Sequence, residues 1–264
     1  MGPRRIAPLS DVTHRPLPLD DPSIDALPDD QRRAVGEAWR SRIDGELRAI
    51  PAFTVMVEAL VELGAEEDLV ALARRAILDE QRHVELCRRL AARYLGAEVA
   101  IPDAPARPLR IPVFRGATDA TRRALQIVSL SLNETTSSVF IEACLAGATA
   151  PLARAALREL LTDEIDHARL GWALLASSRL GAAVRRDLAR SVTALLETNF
   201  ATWHRPHRES APFLVAHGVP ATDVSNAAAL AATRDLLVPG FAAAGFATDA
   251  AQTWLATLAA APGP

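Results

Sequence analysis

Four apolar stripes at helical spacing, each interrupted near its middle by a glutamate, constrain the fold of this chain more than any other feature. Apolar residues recur at alternating spacings of three and four along four long segments, which is the pattern of amphipathic helices that share a core. The interrupting residues are Glu46, Glu80, Glu134 and Glu164, and a histidine follows two of them three positions later. A helical core built on this pattern has to accommodate four carboxylates.

Glycines, prolines and capping residues predict where the helices begin and end. Four long helices are predicted, with bounds of about 29–63, 66–95, 118–146 and 151–178, the last with Thr149 as its N-cap. Four prolines between residues 97 and 117 exclude a helix there, so a long connection joins the second helix to the third. Further helices are predicted over 181–203, from Thr222 and from Thr248, with a polar loop over 204–220. No segment alternates with the period of a strand, so we predict an all-α fold.

The chain is expected to divide into three parts. Residues 1–28 contain six prolines and are predicted to form an extended N-terminal arm. Residues 29–178 hold the four long helices, and residues 179–264 are predicted to be a C-terminal helical extension that packs on them. A length of 264 residues, of which 50% are hydrophobic, is sufficient for one large core with such an appendage.

An internal repeat relates the two predicted helical pairs. Residues 58–87 align without gaps on residues 142–171, an offset of 84. The identical positions include the Asp-Glu-x-x-His segments at 79–83 and 163–167. Both pairs are therefore interpreted as copies of one helical unit.

Composition excludes several classes of function. The net charge is −3, Lys is absent and the arginines are scattered among acidic residues, so no basic surface for nucleic acid is expected. The two cysteines, Cys87 and Cys144, are too few for a disulfide framework or a four-thiolate metal site. Neither a signal peptide nor an apolar stretch long enough to span a membrane is predicted, and we expect a soluble, cytoplasmic protein.

The four glutamates require positive charge in the core. Ionised carboxylates are costly to bury and repel one another when they are close together. Lys is absent and no Arg falls on the four stripes, whereas two divalent cations would balance four carboxylates. A Glu-x-x-His spacing directs both side chains to one helix face, and carboxylate with imidazole suits iron or manganese. The predicted metal ligands are Glu46, Glu80, His83, Glu134, Glu164 and His167.

Two other groups of residues compete for the role of ligand. Glu58 and Glu142 also match across the repeat, but they lie beside the stripes, so a structural role is the preferred interpretation. The segment His204-Arg205-Pro206-His207 carries two histidines, but its proline breaks the helix phase and no acidic partner is fixed. An ordinary polar loop is the preferred interpretation of that segment.

At the six predicted ligands the sequence resembles the ferritin-like di-iron carboxylate proteins. Their pattern is one Glu from each of two helices and Glu-x-x-His from each of the other two. The resemblance covers residues 29–178 and implies a ferritin-like four-helix bundle with one long crossover. It implies two iron ions, with a manganese–iron pair as the alternative, and O₂ as co-substrate. It also implies that Asp79 holds His167 and that Asp163 holds His83, each through the ring nitrogen that does not bind metal.

Within that family the sequence is most similar to the oxygenase and oxidase branch. Storage ferritins lack a C-terminal extension of this length, and rubrerythrin-type peroxidases carry a paired-cysteine iron module. The radical subunit of ribonucleotide reductase has a tyrosine where Cys87 stands. The arylamine N-oxygenases have similar ligand intervals but carry a seventh ligand, a histidine, where Leu160 stands. The branch implies a small organic substrate and an external electron donor, and it leaves a homodimer open as the assembly.

A substrate pocket beside the metal ions is predicted from the residues one helical turn beyond the ligands. Cys87 and Ser138 are candidates for a catalytic role, because Ser138 stands where di-iron monooxygenases often carry a threonine. The predicted pocket residues are Ile50, Cys87, Ser138 and Gly171, with Trp203 and Phe213 as the lid.

A second class of function stays open from the sequence. A ferroxidase, a peroxide-scavenging protein or a metal-handling protein would use the same ligands without an organic substrate. An enclosed apolar pocket that reaches the metal ions favours the oxygenase or oxidase. A hollow shell assembly or an open polar path for iron favours the other class.

Overall fold

The computed structural model describes residues 16–106, 116–206 and 209–260, and every regular element in these ranges is helical, as predicted. The helices are α1 (Pro22–Asp25), α2 (Asp29–Glu62), α3 (Glu67–Leu95), α4 (Asp119–Gly147), α5 (Pro151–Ala176), α6 (Ala182–Ala189), α7 (Val192–Trp203), α8 (Pro212–Ala216), α9 (Thr222–Ala231), α10 (Val238–Ala243) and α11 (Asp249–Ala260). A π-helical segment, Ala232–Leu237, joins α9 to α10.

The four long helices α2 to α5 lie close to their predicted bounds. Helix α3 ends at Gly96, whose φ of 65° is the left-handed conformation that favours glycine at a helix C-terminus. Helix α4 begins after Thr118, whose hydroxyl accepts a hydrogen bond from the amide of Thr121. Helices α2 and α3 pack along each other, as do α4 and α5, and contacts between α3 and α5 and between α2 and α4 complete a common core.

The N-terminus of α5 corrects one prediction. Thr149 was expected to cap this helix, but its N-cap is Ala150, which makes no side-chain capping bond. The carboxylate of Asp21 instead accepts a hydrogen bond from the amide of Leu152 at 2.9 Å. The same carboxylate caps α1 by accepting from the amide of Ser23 at 3.0 Å. A side chain from the N-terminal arm therefore caps a helix that begins about 130 residues later.

Three other predicted segments differ from the structure. Within the predicted arm, residues 1–15 lie outside the described residues, and residues 22–25 form α1 rather than extended chain. The single helix predicted over 181–203 is divided into α6 and α7. At this break the hydroxyl of Ser191 donates to the carbonyl of Asp187, a local bond that competes with helix propagation. The loop predicted over 204–220 contains the short helix α8.

Two apolar clusters fill the core. One contains Phe53, Met56 and Leu60 of α2 and is extended by the C-terminal helices, which bury Leu196 and Phe241 against it. The other is built on residues that include Trp39, Leu90, Tyr94 and Leu157. The C-terminal helices α6, α7 and α9 all contact α4, and α7 also packs against α9 and α11.

No helix in the described part of the chain is both long and apolar enough to cross a membrane.

Candidate metal centre

The structure brings the six predicted ligands together from four helices. Their ligand atoms form two groups, and within each group the atoms lie within 4.8 Å of one another. The first group is Glu46, Glu80, His83 and Glu164, and the second is Glu80, Glu134, Glu164 and His167. Glu80 and Glu164 belong to both groups. The arrangement therefore has two carboxylates placed to be shared and one carboxylate and one imidazole on each side.

Both histidines direct Nδ1 at the carboxylates. His83 Nδ1 lies 3.5 Å from a Glu80 oxygen and 3.8 Å from oxygens of Glu46 and Glu164. His167 Nδ1 lies 3.1 Å from the other Glu80 oxygen and 3.9 Å from a Glu164 oxygen. The two imidazole centroids are 5.9 Å apart. Each ring thus offers one nitrogen to the centre of the cluster.

The second nitrogen of each histidine faces an aspartate on the opposite helical pair. His83 Nε2 lies 3.2 Å from Asp163 Oδ2, and His167 Nε2 lies 3.4 Å from Asp79 Oδ2. These are the pairs that the resemblance implied. An aspartate in this position favours the tautomer with the proton on Nε2, which leaves Nδ1 free to bind a cation.

Several polar atoms inside the cluster are buried and have no hydrogen-bond partner. They are Glu80 Oε1, Glu80 Oε2, Glu164 Oε2, His83 Nδ1 and His167 Nδ1. Buried polar atoms are normally satisfied, so a set of them that faces one point calls for a missing partner. Metal ions would supply that partner, because every one of these atoms is a potential metal ligand. The residues present therefore fit the two metal ions that the resemblance implies.

The ionisation of the cluster shows the cost of holding these groups together without cations. Burial raises the pKa of Glu164, and the charges of Glu134 and Glu80 raise it further, to well above the usual range. Burial alone would raise the pKa of Glu80, but the neighbouring histidines lower it to about 2. Burial alone would lower the pKa of His167, but Asp79 and Glu80 raise it to about 9. Without cations, the two carboxylates that belong to both groups thus have pKa shifts of opposite sign.

A charged residue that the sequence analysis missed lies behind the histidines. Arg82 donates to Asp79 at 2.9 Å and to Asp163, and its Nε lies 3.2 Å from an oxygen of Glu159. Its side chain is 14% exposed, and the Asp163 side chain is fully buried. One guanidinium therefore links the two aspartates that hold the two histidines. The sequence signal was an arginine inside the first Glu-x-x-His, where the second copy has Asp166.

Gly171, one of the predicted pocket residues, packs against Ser131 of α4. The Gly171 amide donates to Ser131 Oγ at 2.7 Å, and a Cβ added at Gly171 would lie 2.5 Å from Ser131 Cβ. The glycine therefore permits close approach of α4 and α5 rather than space for a ligand. Ile50 is 6% exposed within the second apolar cluster. Cys87 is fully buried with Sγ 4.0 Å from Glu46 Oε1, and burial raises the pKa of its thiol.

The hydroxyl groups that follow Glu134 have structural partners. Thr135 accepts a hydrogen bond from the Trp172 indole at 3.2 Å, and Thr136 accepts one from the Asn199 amide at 2.8 Å. Ser138 donates to the backbone carbonyl of Glu134 at 3.0 Å. The two threonines therefore fix α5 and α7 against α4, which accounts for polar residues in the middle of that helix.

The predicted lid residues lie in two different places. Trp203, the last residue of α7, is half-buried, and its ring packs against Phe140 of α4 with centroids 5.5 Å apart. Phe213 on α8 packs against the second apolar cluster. Two cavities among the described residues lie elsewhere, one of about 180 Å³ beside Arg158 and one along residues 29–37 of α2. Neither cavity is lined by a residue of the cluster.

The rival ligands lie outside the cluster. Glu58 and Glu142 are both exposed, and neither belongs to the two groups of ligand atoms. His204 is exposed as well, whereas His207 lies outside the described residues.

Comparison of the chain with models of known protein families, with curated proteins and with solved structures finds no match. The fold and the cluster alone define the class: an all-α protein with Glu and His groups that could hold metal ions.

Proposed function

We propose that this chain is a ferritin-like di-iron protein that binds two iron ions between Glu46, Glu80, His83, Glu134, Glu164 and His167. The observation that carries the proposal is the pair of four-residue groups that share Glu80 and Glu164. Four carboxylates and two neutral imidazoles carry a charge of −4, which two divalent ions balance. Arg82 pairs with the aspartates behind the histidines rather than with the cluster glutamates.

The chain's own residues have distinct roles around such ions. Glu80 and Glu164 would be shared between the two positions, whereas Glu46 with His83 and Glu134 with His167 would each serve one position. Asp163 and Asp79 would accept hydrogen bonds from the Nε2–H groups of the histidines and so favour the tautomer with Nδ1 unprotonated toward the centre. The apolar clusters that include residues of these four helices lower the local dielectric constant and so strengthen the electrostatic interactions between the ligands.

The reaction class that we propose is oxidation with O₂. Bound iron ions supply reversible electron transfer and O₂ activation. We infer an oxidase or oxygenase that acts on a small organic substrate and receives electrons from an external donor. The support for this class is the C-terminal extension, which packs α7 on the same helix that carries Glu134.

A ferroxidase or metal-handling protein is the second candidate, and two observations favour it. The Glu46 side chain is 17% exposed, whereas Glu134 is 4% exposed, so the cluster is open toward solvent at Glu46. Gly171, the predicted pocket residue, is packed against Ser131. A partly exposed ligand and a closely packed Gly171 suit the passage of metal ions more than the binding of an organic molecule.

The experiment that tests the proposal is anaerobic loading with Fe²⁺, followed by metal analysis and O₂ uptake. We expect two iron ions per chain in the wild type, and loss of both in Glu164→Ala, because Glu164 belongs to both groups. Glu142→Ala, at an exposed glutamate of the same repeat, is the matched control and should bind both ions. A wild-type protein that binds no iron, or a Glu164→Ala variant that keeps both ions, would refute the metal centre.

Repeated addition of Fe²⁺ under air separates the two candidate functions. An oxidase or oxygenase keeps two ions per chain and consumes further O₂ only when an external reductant is supplied. A ferroxidase consumes O₂ with each addition of Fe²⁺ and without another reductant.

A further inference from the structure

Helix α7 of the C-terminal extension reaches the metal cluster through two hydrogen bonds. Trp203, its last residue, donates its indole N–H to Asn133 Oδ1 at 3.1 Å. Asn133 Nδ2 then donates to Glu134 Oε1 at 3.3 Å. The line from α7 to a predicted metal ligand therefore passes through a single amide.

The indole fixes the direction of this amide. Trp Nε1–H can only donate, so Asn133 must turn its oxygen to Trp203. The NH₂ group then faces Glu134, where it is the right partner for an ionised carboxylate. The tryptophan ring is itself held by Phe140, with centroids 5.5 Å apart.

The other outer carboxylate has no comparable support. Glu46 Oε1 faces the thiol of Cys87 at 4.0 Å, which is a weak and distant donor. The Glu46 side chain is also 17% exposed, against 4% for Glu134. The repeat thus supplies a Glu-x-x-His pair to each of the two metal positions. Among the described residues, only the position on the His167 side has an outer carboxylate that accepts a hydrogen bond from an oriented side-chain amide.

We propose that Asn133 and Trp203 are positioning residues that orient Glu134 and make the metal position on the His167 side the tighter of the two. The inference rests on the proposed metal centre and adds an inequality between its two positions. Removal of a group that supports a metal ligand typically weakens metal binding about 10- to 100-fold. We therefore expect Asn133→Leu and Trp203→Phe to weaken the tighter position by about tenfold and to leave the weaker one unchanged.

The test is titration of metal-free protein with Co²⁺ in competition with a chromophoric chelator, which resolves two affinities. Trp203→Phe removes the N–H group and keeps an aromatic ring at the position beside Phe140. Asn199→Ala is the matched control, because it removes a hydrogen bond between α7 and Thr136 but contacts no ligand. Thermal melts show whether each variant folds.

A double-mutant cycle assigns the effect to Glu134. The effects of Asn133→Leu and Glu134→Gln should not add, because the first acts through the second, whereas Asn133→Leu and Glu46→Gln should add. The positioning role of Asn133 and Trp203 is refuted if Asn133→Leu leaves both Co²⁺ affinities unchanged, if Asn199→Ala gives the same loss, or if both affinities fall equally. A wild-type protein that binds no Co²⁺ refutes both the metal centre and the positioning role. Failure of the positioning role alone is recognised because the wild type still binds Co²⁺.

Discussion

Replacement of Arg82 by Met should destabilise the metal-free protein strongly. The guanidinium contacts Asp79, Asp163 and Glu159, and its side chain is 14% exposed while the three carboxylate side chains are 5% exposed or less. Removal of one partner from a buried ion pair costs about 3–5 kcal/mol, because the opposite charge stays buried without compensation. We expect a decrease of this size in the free energy of unfolding at pH 7.

The pH dependence separates lost charge from lost packing. Burial opposes the ionisation of Asp163, but His83 and Arg82 hold its pKa below the usual range, and Asp79 is lowered in the same way by His167 and Arg82. A carboxylate with a lowered pKa stabilises the folded state above its unfolded pKa of about 3.9, and this stability is lost as the pH falls. The penalty of Arg82→Met should therefore be large at pH 7 and smaller at about pH 2.

Denaturant unfolding at the two pH values measures this difference, and Arg169→Met is the matched control. Arg169 pairs with Asp166 at the same spacing, but its side chain is 65% exposed, so the loss should stay below about 1 kcal/mol. If Arg82→Met is no worse than Arg169→Met, or costs the same at both pH values, then Arg82 is not the buried counter-charge described above.

Three further predictions concern the cluster and its packing. The raised pKa of Glu164 should make the free energy of unfolding of the metal-free protein fall between pH 5 and pH 8, as that carboxyl group ionises. Glu164→Gln should reduce this fall in denaturant unfolding, and an unchanged pH profile would contradict the prediction. Co²⁺ binding at pH 7 should release protons, because the pKa of His83 is raised well above 6.5 and that of His167 to about 9, and only neutral imidazole binds metal; calorimetry in buffers of different ionisation enthalpy counts them, and a buffer-independent enthalpy would argue against it. Gly171→Ala should cost about 1–3 kcal/mol, since its Cβ would overlap Ser131; the cost should shrink in a Ser131→Gly background, and a cost that persists there would point to another cause.

The sequence predicted the helices and the cluster where the signal is periodic. The positions of Glu46 and Glu134 on apolar stripes and the two Asp-Glu-x-x-His segments predicted the six side chains that the structure brings together. Their common cause is the helix period, which fixes the face on which a residue lies. The all-α fold followed from the same periodicity.

The errors fall where the answer depends on a partner distant in sequence. A small residue such as Gly171 indicates either free space or a close helix contact, and only the position of Ser131, 40 residues earlier, decides between them. Asp21 could not be assigned to the N-terminus of α5, because about 130 residues and the four helices α1 to α4 lie between them in the sequence. Asn133 beside Glu134 carried no periodic signal, since its role depends on the indole of Trp203.

The lone guanidinium between two matching aspartates has a consequence for symmetry. Asp79 and Asp163 are equivalent positions of the repeat, and Arg82 contacts both. In a dimer of identical hairpins, either both copies would carry this arginine, and the two would compete for one pair of aspartates, or neither copy would carry it. A single covalent chain escapes this restriction: one half carries Arg82 and the other carries Asp166. Fusion of the two hairpins into one chain thus permits a single arginine to contact both aspartates, which an exact pair of identical copies cannot provide.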